Sequence, residues 1–129
     1  MKQPCRILVV EDEAIIARDI MLQLRDLGYT ALGPAASGEQ AIDMLAELSA
    51  DSRPELILMD VHLDGAMDGI STAQLIRQRF ALRSLFLSAF DGPDSLQRAK
   101  LCEPAGFLVK PFEEHDLRQA LTDAFSGSA

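Results

Sequence analysis

Arg6-Ile7-Leu8-Val9-Val10 is a run apolar at every position from Ile7 that stops abruptly at Glu11-Asp12-Glu13. Its counterpart, Glu55-Leu56-Ile57-Leu58-Met59, stops as abruptly at Asp60. Strands without polar alternation are covered on both faces, as in a parallel sheet between two helical layers. The intervening and following residues supply those helices. Ala14 to Leu27 repeats at helical spacing, with Ile16, Ile20, Leu24 and Leu27 as its stripe, and Gly28 stops it. A weaker strand is expected around Tyr29 to Gly33. Ser37 and Gln40 form a capping-box pair opening a helix that presents Ala41, Leu45 and Leu48. A Gly- and Asp-rich loop, Val61 to Gly69, leads to a helix over Ile70 to Phe80. Ser84 to Ser88 is expected as a strand, and Pro93 to Cys102 as a short helix ended by Pro104. Phe107-Leu108-Val109 is a fifth strand, and Glu113 to Phe125 a last helix with Leu117, Leu121 and Ala124 inward. Strict β–α alternation predicts an α/β domain with a doubly wound, five-stranded parallel sheet and helices on both faces.

The 129 residues amount to one domain with a core near 5–125 and a loose tail at 126–129, leaving no room for an appended effector. Twelve basic against 20 acidic residues give a net charge of −8, which argues against nucleic acid or an anionic membrane surface as partner. No apolar run reaches the roughly 18 residues of a membrane span, and Met1 to Arg6 is not followed by a signal-peptide cleavage pattern. Cys5 and Cys102 have no CxxC spacing, so reduced thiols in a cytoplasmic protein are expected.

In open α/β sheets, chemistry sits beyond the carboxyl ends of the strands. With the flavodoxin-like order 2-1-3-4-5, strands one and three are neighbours, so Glu11, Asp12 and Asp60 converge; Ser88 and Lys110 close strands four and five. Neither GxGxxG nor GxxxxGK[ST] occurs, and a carboxylate pair after the first strand would repel a phosphate group. Glycines 65 and 69 are expected as turn formers. Three crowded carboxylates raise one another's pKa, and a divalent cation relieves the strain. All-oxygen ligands suit Mg²⁺, with Mn²⁺ also possible. Metal, lysine and hydroxyl around one aspartate would cage three phosphoryl oxygens, with Asp60 as nucleophile.

VVEDE, LILMD, Asp68-Gly69, Leu87-Ser88-Ala89 and Lys110-Pro111-Phe112 follow in an order and spacing that resemble a response-regulator receiver domain over essentially the whole chain, Ile7 to about Phe125. DVHLDGAMDGI further resembles receivers found with PAS-containing sensor kinases. The resemblance implies that Asp60 accepts phosphate from a histidine kinase or His phosphotransfer protein. It implies that Asp12 ligates Mg²⁺ directly, Glu11 acts through water, and the His62 backbone carbonyl is a further ligand. It also makes Ser88 and Phe107 switch residues and the Lys110–Pro111 bond cis. The chain departs from the family pattern in two places. Asp60 to Asp68 is one residue longer than the common form, with Leu63-Asp64 replacing Met-Pro, and Phe107 has no hydroxyl.

Plainer roles stand beside these. Glu11 and Asp12 could serve the first helix dipole, Lys110 could be a loop lysine, Ser88 a cap and Phe107 a core aromatic. His62 is expected as a solvated loop residue, Asp64 and Asp68 as turn formers, His115 at the surface and Cys102 in the core. Ile15 and Leu22 fall together on a face away from the core, beside Asp19 and Asp26, and could dock a histidine-bearing partner next to the site. The leading function is a phosphorylation switch that remodels the face made by the Pro93 helix, the fifth strand and the last helix. It would be self-catalysed, with no substrate turnover. A phosphate-independent scaffold and an aspartyl-phosphate hydrolase are the alternatives.

Overall fold

The structure, a computed structural model, describes residues 5–63, 65–88 and 93–126. Five strands, β1 (Arg6–Val10), β2 (Thr30–Ala35), β3 (Leu56–Asp60), β4 (Ser84–Ser88) and β5 (Gly106–Val109), form one sheet in the order β2-β1-β3-β4-β5. Every pairing is parallel. The helices are α1 (Ala14–Asp26), α2 (Gly38–Glu47), α3 (Gly69–Phe80), α4 (Pro93–Lys100) and α5 (Glu114–Ser126), with a 3₁₀ turn at Ala50–Ser52.

Alternate strand residues feed two separate cores, which is why the runs are apolar throughout. Leu8, Val10, Ile57, Met59 and Phe86 face α2, α3 and α4. Ile7, Val9, Leu56, Leu58, Leu85 and Leu87 face α1 and α5, where Leu117, Leu121 and Ala124 point inward as expected. Each such side chain contributes about 1.5–3 kcal/mol by leaving water.

Several boundaries differ from the sequence reading. β2 begins one residue later than expected and runs on through the cis Gly33–Pro34 bond to Ala35. Its pairing with β1 shifts register between Leu8 and Val10, and so carries the extra length. Tyr29, taken as part of that strand, instead stacks on Phe125 at 5.9 Å. The buried face of α1 is Ala17, Ile20, Met21 and Leu24. Ile16 and Leu27 are only half-buried; Leu27 lies at the helix cap, where Gly28 turns the chain at φ +94°. α4 ends at Lys100, so Cys102 lies beyond it, and Ser126 belongs to α5 instead of a tail. The rest of the expected tail and the Asp64 turn lie outside the described residues.

The Ser37–Gln40 cap is present with a variation. Ser37 Oγ accepts the Gln40 N–H at 3.1 Å, whereas Gln40 Oε1 reaches back to the Ala36 N–H at 2.6 Å, one residue before the cap. Immediately after it, buried Gly38 presses on Thr72 of α3: a Cβ there would lie 2.0 Å from Thr72 Oγ1. Gly38→Ala is therefore expected to cost about 1–3 kcal/mol by overpacking, read as a lower urea midpoint at unchanged slope. In a Thr72→Ala background the same change should cost markedly less. Equal losses in both backgrounds would show that the two helices do not meet there.

Candidate functional site

The parallel sheet delivers five polar residues to one edge. Glu11 and Asp12 follow β1, Asp60 and Ser88 end β3 and β4, and Lys110 follows β5. Backbone bonds fix each strand end to its neighbour: Glu11 N–H to Ala35 O at 2.9 Å, Val61 N–H to Leu87 O at 3.0 Å, and Lys110 N–H to Ser88 O at 3.0 Å. Carboxylate oxygens of Glu11, Asp12 and Asp60 lie within 4.8 Å of one another. Glu11 is 1% exposed and Asp60 4%, while Asp12 is half-buried.

Lys110 answers this concentration of charge. Its Nζ donates to Glu11 Oε1 at 3.0 Å and stands 3.4 Å from Asp60 Oδ2. The other Asp60 oxygen accepts the His62 N–H at 3.1 Å, and Glu11 Oε2 accepts the Glu13 N–H at 3.2 Å. Burial, followed by a hydrogen bond with Asp60, pushes the Glu11 pKa up to about 7, and the bond from Lys110 does not offset it. Burial opposes the Lys110 ammonium, but its bonds to Glu11 and the charge of Asp60 outweigh that and hold its pKa above the ordinary lysine value. The ammonium is thus locked in its charged form.

Other expected residues fall as follows. The Lys110–Pro111 bond is cis, as expected. The His62 side chain is exposed and Ser88 is buried. Phe107 is half-buried with its ring 6.1 Å from that of Phe86, so it packs as a core aromatic in this conformation. Ile15 and Leu22 are 86% and 48% exposed, apart from the core face of α1. His115 is at the surface between Glu113 and Asp116, and Cys102 is buried.

Two features lie beyond the sequence reading. Gly69 is no turn former: it is the first residue of α3, and a Cβ there would lie 1.8 Å from Asp60 O. The glycine is needed for that close approach, which seats α3 on the Asp60–Val61 peptide. Asp68, expected only as a turn residue, caps α3 by accepting the Ser71 N–H at 2.8 Å and pairs with Arg98 at 2.9 Å. Burial opposes its charge, but the Ser71 N–H and the Arg98 guanidinium hold its pKa below the usual carboxylate range. A Ser/Asp followed by helix-period residues signals a cap, but nothing in the sequence pairs position 68 with 98.

A family model described as the response regulator receiver domain matches residues 7–122. The chain belongs to that family. This receiver is 38% identical over 123 residues to the transcriptional regulatory protein PdtaR of Mycobacterium tuberculosis (strain ATCC 25618 / H37Rv), a match covering 95% of this chain and 58% of that protein. The receiver thus spans little more than half the length of this curated relative. Among solved structures it is similar to the signal receiver domain of a modulated diguanylate cyclase from Desulfovibrio desulfuricans G20, with a TM-score of 0.85, 32% identity and coverage of 96% and 95%. It is also similar to the chemotaxis response regulator CheY4 of Vibrio cholerae, with a TM-score of 0.81, 26% identity and coverage of 94% and 98%. Among the described residues of the receiver, no helix is long and apolar enough to cross a membrane.

The Glu11 position carries a pH signature. Its folded pKa of about 7 lies above the ordinary 4.5, so between these values the folded chain holds a proton that the unfolded chain releases. Stability of the protein without added divalent cation should fall as pH rises through this window, by an amount on the order of 2–3 kcal/mol. Urea titrations at about pH 5 and about pH 7.5 measure the slope, and Glu11→Gln should flatten it.

Proposed function

We propose that this receiver is a phosphoacceptor of a two-component system, in which Asp60 takes a phosphoryl group from a histidine kinase or His phosphotransfer protein. The observation that carries this reading is the Lys110 ammonium, 3.0 Å from Glu11 and 3.4 Å from Asp60, at the open edge of a parallel sheet. An Asp60 oxygen attacks phosphorus, an O–P bond forms, and the bond to the donor's nitrogen, or to acetate in acetyl phosphate, breaks with its electron pair leaving on the donor. The His62 N–H holds Oδ1 of Asp60, leaving Oδ2 directed towards Lys110.

The chemistry of the donor set fits a hard divalent cation: three carboxylates within 4.8 Å and no thiol or imidazole in the cluster. Asp12, Asp60 and the His62 carbonyl would hold Mg²⁺ or Mn²⁺, with Glu11 behind them. Such an ion supplies charge neutralisation for the carboxylates and for the phosphoryl oxygens. Lys110 contributes a fixed positive charge where negative charge accumulates.

The added charge on Asp60 then draws on Ser88 and Lys110, and the movement of Ser88 and Phe107 re-forms the face of α4, β5 and α5 for a protein target. Ile15 and Leu22 form the partner's docking patch on α1. The absence of CxxC spacing and the burial of Cys102 suit a reducing, cytoplasmic setting.

Incubation with Mg²⁺ and acetyl phosphate should add one acid-stable, base-labile phosphate by intact mass, and none to Asp60→Asn. Loss of the charge in Lys110→Gln should slow its formation by about a hundredfold. An adduct that persists in Asp60→Asn would place the acceptor elsewhere. Ile15→Glu with Leu22→Glu should slow transfer from the histidine-bearing partner and leave the acetyl phosphate rate unchanged; equal losses in both would remove the docking role.

A further inference from the structure

α4 and the turn that follows it lie against α3. Ala99 and Cys102 enter the core, and the Cys102 thiol donates weakly to Ile70 O at 3.7 Å and Arg98 O at 3.6 Å. At the far end, Arg77 of α3 pairs with Glu103 at 2.6 Å. At the near end, Arg98 makes three contacts with the start of α3: Nη1 to Asp68 Oδ2 at 2.9 Å, Nη2 to Asp68 Oδ1 at 3.5 Å, and Nη2 to Ser71 Oγ at 3.3 Å.

What Asp68 holds makes this contact more than a surface pair. The residue after it, Gly69, donates its N–H to Val61 O at 2.9 Å and leaves no room for a side chain against Asp60 O. A pull on Asp68 is therefore transmitted through one peptide unit to the backbone of the phosphoacceptor. The Asp68 carbonyl is fixed as well, accepting from Thr72 N–H at 3.0 Å and Thr72 Oγ1 at 2.8 Å. α4 therefore cannot move off the start of α3 without losing the Arg98 contacts.

We propose that the Asp68–Arg98 pair is a latch opposing phosphorylation, which favours the α4 position seen here and couples it through Gly69 to the Asp60 backbone. The proposal rests on the reading of Asp60 as phosphoacceptor. An interaction made in only one arrangement biases the equilibrium by its own worth, and coupling between two sites is reciprocal. Because both partners are partly exposed, the bias is modest, about two- to fivefold in an equilibrium constant. Arg98 is accordingly a positioning residue for the reaction at Asp60.

The test is the initial rate of acetyl phosphate-dependent phosphorylation of the full chain with Mg²⁺, read by intact mass. Arg98→Gln should raise it about two- to fivefold. Asp68→Asn, which keeps an acceptor for the Ser71 N–H, should do the same, and the double variant should exceed neither single by more than experimental error. Arg98→Lys should restore a rate near that of the parent. Arg77→Gln, which breaks the pair at the far end, should leave the rate unchanged. An unchanged or slower rate in Arg98→Gln, or additive effects in the double variant, overturns the latch. If the parent takes no phosphate, the reading of Asp60 fails and amide hydrogen exchange decides the latch instead. Arg98→Gln must then raise exchange in both residues 69–73 and 99–102, and a rise confined to the second segment overturns it.

Discussion

Two buried carboxylates and a half-buried lysine at one sheet edge are the constraint around which the rest is arranged. Glu11 and Asp60 are almost wholly withdrawn from water, and Asp12 is drawn in beside them. Without an opposite charge, such a cluster would neutralise itself by taking up protons. Lys110 provides that charge from the far side of the sheet, 99 positions away from Glu11 in the chain. The strand order is what makes this possible, since β1 and β3 are neighbours while β4 and β5 continue the same sheet. Two independent apolar layers keep the edge rigid enough for a bridge of 3.0 Å to hold.

Lys110 meets both carboxylates without cancelling either. Glu11 takes the shorter contact and a raised pKa, and Asp60 keeps one oxygen on a backbone N–H and one towards the ammonium. The result is a buried carboxylate held in place with its charge only partly answered. In the function proposed above, this is the group that serves as the acceptor.

Most of this was legible in the sequence because it depends on patterns that survive without coordinates. Short continuous apolar runs bounded by turn residues fit doubly covered strands, and charges that end such runs have no packing reason to be there. The ends of parallel strands must then converge, which brought Glu11, Asp12, Asp60, Ser88 and Lys110 to one edge before any distance was known. What was not legible depends on tertiary neighbours. Gly33-Pro34 looks like the end of a strand, and only the shifted register against β1 carries β2 past it. The helical period of α1 allows Ile16 and Leu27 as well as Ala17 and Met21, and the approach of the sheet decides between them. Gly69 looks like a turn residue until Asp60 O is seen against it. Arg98 and Asp68, 30 positions apart, carry no shared signal at all.

The same stretch that obscured β2 has a use at the sheet's margin. β2 is an outer strand, and outer strands are templates on which foreign chains can add by hydrogen bonding. Pro34 has no N–H to offer, and Gly33 beside it sits at φ +94°, outside the extended range of a regular ladder. The opposite margin, β5, is only four residues long. A sheet of five fully parallel strands, rich in Val, Ile and Leu, thus ends on both sides in edges poorly suited to growth. That protects against fibrillar self-association a chain whose central strands have the composition of an aggregating segment.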